Sequence, residues 1–220
     1  MLIYTDIHSH SIKKKNNVKR IRNFLSSEAH AKLSTAEEYF SIGLHPWYIN
    51  QLDIRKEINY IQSLANEKSF VAVGETGIDK FIDGDIAIQQ LRFYELIELS
   101  EELKRPLIIH SVKGSNEVIN AFNTLKPSQK WIIHGFNQRW TVAESFLEND
   151  ILLSFGSALL KNESTRAVFK KIPAGSYFLE TDESDDEIET IFAEAAFLSE
   201  LPLETIQLNL EQQFNQLFTR

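Results

Sequence analysis

The sequence predicts an α/β fold, a distorted TIM (β/α) barrel, on three observations. Short apolar runs alternate with amphipathic stretches along the 220 residues. Most of the runs lack apolar–polar alternation, as expected for parallel strands buried on both faces. Five of the six histidines and two carboxylates sit at or just beyond the ends of such runs, always at the same end. A (β/α) barrel builds its functional face from the C-terminal ends of its strands.

Taken in order, strands are expected at 2–8, 39–44, 70–75, 106–110, 130–134, 151–155 and 177–181. Amphipathic stretches near 53–66, 86–104, 115–125, 140–148, 161–171 and 185–199 read as the intervening helices, with a last one near 204–218. Pro106 and Gly114 punctuate the fourth unit, and Pro173 with Ala174 and Gly175 stops the helix before the last strand. The first third is irregular. After His10 only SIKKKNN precedes VKRIRNFLS, whereas a parallel crossover needs roughly a dozen residues, normally with a helix. Either that run is not a parallel strand or the barrel is distorted there, with its first helix missing or reduced. The length is near the lower end for such barrels, and residues 1–220 read as one domain.

Apolar content of 43% and charge of 25% are ordinary globular values. Asp6 comes too early for a signal peptide, and no run approaches membrane-spanning length. The expectation is a cytoplasmic protein with no membrane partner. With no cysteine, disulfides, thiolate ligands and a cysteine nucleophile are excluded. A net charge of −8 argues against a broad nucleic-acid surface. Lys13, Lys14, Lys15, Lys19, Arg20 and Arg22 crowd one stretch, and Asp182, Glu183, Asp185, Asp186, Glu187 and Glu189 crowd another. They read either as a basic and an acidic lip of one mouth or as two solvated surfaces.

The candidate chemistry is that of a metal site. On a strand, Asp6, His8 and His10 project to one face. His8 and His10 can share one ion, with Asp6 orienting an imidazole from behind. Glu75 can bridge two ions, His110 and His134 can complete a second, and Asp182 can ligate metal and deprotonate the attacking water. One or two divalent ions so placed polarise a phosphoryl or acyl oxygen and activate water. Four imidazoles with two carboxylates suit Zn²⁺, Ni²⁺, Mn²⁺ or Fe²⁺, and Mg²⁺ less well. His45 either orients substrate or hydrogen-bonds under the Pro46–Trp47 turn. Trp47 is the aromatic candidate for lining a cleft, whereas Trp131 reads as packing and His30 as surface. Asp79 is expected to fix its loop or cap a helix, and Glu180 to support the site from behind Asp182.

TDIHSH, SIGLHPW, VAVGETGID, PLIIHS, IIHGF and LETD follow one another in that order. This series resembles the TatD-like metal-dependent hydrolases (TatD-related DNases) of the amidohydrolase superfamily, and LEQQFNQLF resembles that family's closing helix. The resemblance implies metal ligation by His8, His10, Glu75, His110, His134 and Asp182. It also implies phosphodiester hydrolysis with Asp182 as the catalytic residue, on a phosphate-containing small molecule or a short nucleic acid. The chain departs from the family in three places. The helix after HxH is reduced, Val112 stands where an arginine is frequent, and ESDDEIET replaces a loop bearing Pro, Arg and Asn. These departures mark a shortened member and put DNA itself in question, because phosphate contacts carry nucleic-acid affinity. Three alternatives stay open. One is a metal-dependent amide, ester or aminoacyl hydrolase on the same barrel, and another is a metal-retaining binding protein without turnover. A PHP-type phosphoesterase is the third, although that family ends in Asp-x-His and Asp182 is followed by Glu183 and Ser184.

Overall fold

The computed structural model describes residues 2–27, 29 and 39–219. Among them, eight strands follow one another in sheet order: β1 Tyr4–Ser9, β2 Val18–Leu25, β3 Tyr39–Gly43, β4 Phe70–Asp79, β5 Leu107–Val112, β6 Trp131–Ile133, β7 Leu152–Phe155 and β8 Tyr177–Leu179. The helices are α1 Ile54–Ser63, α2 Ile86–Leu103, α3 Ser115–Leu125, α4 Trp140–Leu147, α5 Ala158–Lys161, α6 Glu163–Phe169, α7 Ile188–Ser199 and α8 Leu203–Phe218. Sequential parallel strands with helices between them are the expected TIM (β/α) barrel fold. His30 lies outside the described residues. No helix among the described residues is long and apolar enough to cross a membrane. The chain divides into two compact units, residues 1–22 with 134–220 and residues 23–133.

In the first unit, β1 and β2 pair in parallel, Tyr4 opposite Val18 and Asp6 opposite Arg20, before the register shifts ahead of Ser9 opposite Arg22. VKRIRNFL is therefore a parallel strand, and residues 10–17 reach it without a helix. Of the two readings of this stretch, local distortion holds. Helices α7 and α8 cover β1, with Phe192 edge-on to Tyr4 at 5.1 Å. The helix expected near 161–171 forms as α6, and the shorter α5 stands ahead of it, across Asn162. Asn162 leaves helical geometry (φ −124°, ψ 109°) and its side chain accepts from Ser164 N at 2.9 Å and Thr165 N at 3.3 Å. Asparagine in mid-helix competes with the backbone for hydrogen bonds, and here it ends α5 and caps α6.

In the second unit, every residue of β4 is buried. Asp53 caps α1 and Asp85 caps α2. Trp131 packs between Phe93 (5.6 Å) and Phe122 (5.1 Å), as expected of a core residue. β4 runs past its expected end at 75, pairing Thr76 with Ile109, Gly77 with His110 and Asp79 with Val112. Gly77 permits this: its φ is +146°, and a Cβ there would stand 2.0 Å from His110 O. The close approach sets β4 against β5 where Glu75 and His110 emerge.

Candidate metal centre

In the first unit, His8 is fully buried near the end of β1 and His10 follows it in the loop. Their rings stand 5.4 Å apart at 85°. Both Nε2 atoms face one oxygen of Asp182, Oδ1, at 3.5 Å for His8 and 3.7 Å for His10. Two donor atoms, each about 2.1 Å from a tetrahedral ion, stand about 3.4 Å apart, so this trio fits a divalent cation. Asp182 takes the left-handed conformation (φ +52°), which residues other than glycine seldom adopt. Its N–H donates to His8 O at 2.9 Å and its carbonyl accepts from His10 N at 3.2 Å.

Asp6 secures this turn from below. Its buried carboxylate accepts from Thr181 N (2.9 Å), Thr181 Oγ1 (2.8 Å) and Arg20 Nε (2.8 Å). The Thr181 hydroxyl also meets Ser9 Oγ at 2.8 Å. Burial pushes the Asp6 pKa up against the opposing pull of Arg20 and Thr181. The hydrogen bonds of Asp6 thus act on Asp182 through its neighbour Thr181, where an imidazole was the expected partner.

The His134 ring lies 4.3 Å from that of His8, and its Nδ1 is 3.5 Å from Glu180 Oε1. Gly135 N donates to the same oxygen at 2.6 Å. Burial works to raise the Glu180 pKa, but His134, His8 and Ser154 together hold it below the ordinary value. His134, Glu180 and Asp182 offer donor atoms within 4.8 Å of one another. Glu180 belongs to this group although only a supporting role was expected of it. Its two-residue spacing from Asp182 was the available signal.

In the second unit the cluster is His45, Glu75 and His110. His45 Nδ1 accepts from Trp47 N at 3.2 Å, which assigns the ring proton to Nε2, and Nε2 faces Glu75 Oε1 at 3.1 Å. His45 therefore fastens the Pro46–Trp47 turn and donates to the carboxylate as well. Asn23, which sequence reasoning missed, accepts from Glu75 N at 3.0 Å and from Ser41 Oγ at 3.0 Å. His110 lies between two carboxylates, with Nδ1 2.8 Å from Glu75 Oε1 and Nε2 3.1 Å from Asp79 Oδ2. A neutral imidazole has one proton to give, so one of these contacts sets a lone pair against an anion. A cation at that nitrogen removes the conflict, and the imidazole–carboxylate donor set suits a transition-metal ion. Asp79 also accepts from Trp47 Nε1 (2.7 Å) and Phe81 N (2.8 Å). Burial opposes its charge, but Trp47, Phe81 and His110 outweigh burial and lower its pKa. It fixes its loop as expected, while the cap of α2 is Asp85.

Beside His10 and Asp182, the first unit has a cavity of ≈ 230 Å³, also lined by Lys13, Arg20, Asp186 and Glu187. The basic and acidic stretches meet here, and Lys15 joins the one to the other. Lys15 Nζ reaches Glu187 at 2.7 Å and Glu189 at 2.8 Å. Lys19 reaches Glu211 at 2.8 Å, and Arg20 is held by Asp6 and the Lys13 carbonyl.

A family model described as TatD related DNase matches residues 6–218. An uncharacterized metal-dependent hydrolase of Buchnera aphidicola subsp. Baizongia pistaciae is 32% identical over 146 residues, covering 64% of this chain and 54% of its own length. The uncharacterized metal-dependent hydrolase YabD of Bacillus subtilis is 30% identical over 149 residues, covering 66% of this chain and 58% of its own length. The chain thus spans little more than half the length of these curated relatives. Among solved structures, the TatD homologue YjjV of Escherichia coli K12 superposes with a TM-score of 0.85 at 22% identity, covering 99% of this chain and 98% of that one. An uncharacterized amidohydrolase of Saccharomyces cerevisiae superposes with a TM-score of 0.77 at 15% identity, covering 99% of this chain and 100% of that one. At these identities the two structures speak for the fold.

Proposed function

The chain belongs to the TatD related DNase family, and from that premise we propose a divalent-metal-dependent hydrolase of phosphodiester bonds, acting on a phosphate-containing small molecule or a short nucleic acid. The observation that carries this reading is the pair of Nε2 atoms, from His8 and His10, turned on one oxygen of Asp182. His134 adds a further imidazole in the same unit, and Glu75 and His110 supply the donors of the second. A divalent ion held by such donors polarises a phosphoryl oxygen and lowers the pKa of water towards neutrality.

The chain's own groups do the rest. Asp182 is the proposed base: Oδ1 faces the two histidines, which leaves Oδ2 to take the proton of the attacking water. Its side chain is 41% exposed, so water reaches it. The Asp6–Thr181 clamp and the left-handed turn keep that carboxylate from swinging away. Substrate size follows from the lips. Lys15, Lys19 and Arg20 are committed to carboxylates, so the basic stretch offers little to a long polyanion. A cavity of ≈ 230 Å³ lies below the usual range for drug-sized ligands and suits a small phosphate-bearing group.

Asp182→Asn and Glu75→Ala are expected to abolish metal-stimulated hydrolysis of a chromogenic phosphodiester. Both variants should keep the circular dichroism and cooperative melting of the wild type. Turnover surviving in either one sinks this mechanism.

A further inference from the structure

We propose that Asp79 is a positioning residue which, braced by the Trp47 indole, fixes His110 with its proton on Nε2 and so turns Nδ1 towards the metal beside Glu75 Oε1. The inference rests on the reading of His110 as a ligand and adds which nitrogen ligates and what decides it.

Two carboxylates contend for the one ring proton, Glu75 at 2.8 Å from Nδ1 and Asp79 at 3.1 Å from Nε2, and a cation shared by Nδ1 and Glu75 would leave that proton to Asp79. Asp79 Oδ2 lies 3.1 Å from His110 Nε2, so a proton there makes a charge-assisted hydrogen bond. With the proton on Nδ1 instead, the Nε2 lone pair would face a carboxylate that already receives Trp47 Nε1 and Phe81 N. Asp79 is itself held rigidly. Gln89 of α2 is buried and brackets its backbone, accepting from Asp79 N at 2.8 Å and donating to Asp79 O at 3.0 Å. The Asp79 side chain has no slack either, because one oxygen takes the Phe81 amide and the other takes the indole and the imidazole. Ligating histidines characteristically donate their second ring N–H to a carboxylate, which sets the tautomer and raises the basicity of the ligating nitrogen. The unusual part is the brace. Trp47 is 53% exposed, yet its N–H points inward at 2.7 Å, and its ring stands edge-on to His45 at 5.0 Å and to His110 at 6.4 Å. One indole thus covers both histidines of the cluster and anchors the carboxylate behind one of them.

The test uses the full chain in three forms: wild type, Asp79→Asn and Trp47→Phe, the last keeping a ring and losing the N–H. Two readouts are taken: Zn²⁺ affinity by competition with a chromophoric chelator, and the ¹⁵N shifts of the His110 ring in metal-free protein at a pH above the imidazole range. The wild type is expected to carry its proton on Nε2. In Asp79→Asn, zinc affinity should fall by about 10- to 100-fold and the proton should move off Nε2. In Trp47→Phe the Nε2 proton stays and affinity falls by less. Wild-type affinity in Asp79→Asn, or a wild-type ring protonated on Nδ1, overturns the inference. A wild type that binds no zinc defeats the functional reading instead, and the ring shifts still decide whether Asp79 sets the tautomer. If Asp79→Asn does not fold, the wild-type shifts and Trp47→Phe decide it.

Discussion

Thr181 has no acid–base chemistry, yet it is the residue through which a buried charge sets the direction of Asp182. Its amide and hydroxyl both donate to Asp6, while Ser9 Oγ shares that hydroxyl. Thr181→Val keeps the shape and removes the hydroxyl, which takes one hydrogen bond each from Asp6 Oδ2 and Ser9 Oγ while Arg20 Nε still donates to that Asp6 oxygen. A hydrogen bond to a charged group contributes about 1.5–3 kcal/mol. The urea midpoint is therefore expected to fall with an unchanged slope, and zinc affinity should fall with it. Lost stability with unchanged zinc affinity would show that the clamp does not serve Asp182. At this scale the ligand candidates were legible because a polar residue closing an apolar run is conspicuous. Their supports were not. Asn23 lies 52 residues from Glu75 and Asp79 lies 31 from His110, and no local pattern announces a hydrogen bond across such separations.

The connection between β1 and β2 is held by charges where most (β/α) units use a helix. Lys15 ties residues 10–17 to the start of α7 through Glu187, its N-cap, and Glu189 in its first turn. Lys15 lowers the Glu187 pKa below the ordinary 4.5, so this contribution is present above 4.5 and is lost as pH falls through the lowered value. Glu187 and Glu189 raise the Lys15 pKa above 10.5, so its share is complete below 10.5 and is lost as pH rises through the raised value. Lys15→Met is accordingly expected to melt below the wild type at neutral pH. The difference should vanish in acid and shrink with added salt, as followed by thermal melts across pH. A difference that persists in acid would assign the effect to packing. Among the elements, the regular βα alternation was readable, and so was the missing first helix, because seven residues leave no room for a crossover helix. Two features were hidden. The extension of β4 through Thr76 and Gly77 comes from pairing with β5, and the break at Asn162 comes from a side-chain cap inside an amphipathic stretch.

At the scale of the whole molecule, fold class and family were both legible, because a repeated βα period and six ordered motifs survive low overall identity. The match over residues 6–218 and the superposition on YjjV over 99% of the chain agree with that reading. Substrate identity is carried by loops, so the motifs speak for the reaction class more than for its substrate. The central claim is that His8, His10 and Asp182 hold a divalent ion. Anomalous diffraction at the zinc edge, from crystals grown with Zn²⁺, tests it most directly. The account predicts a peak bounded by Nε2 of His8, Nε2 of His10 and Oδ1 of Asp182. Zinc found only on surface carboxylates, with no peak among these three, would contradict it.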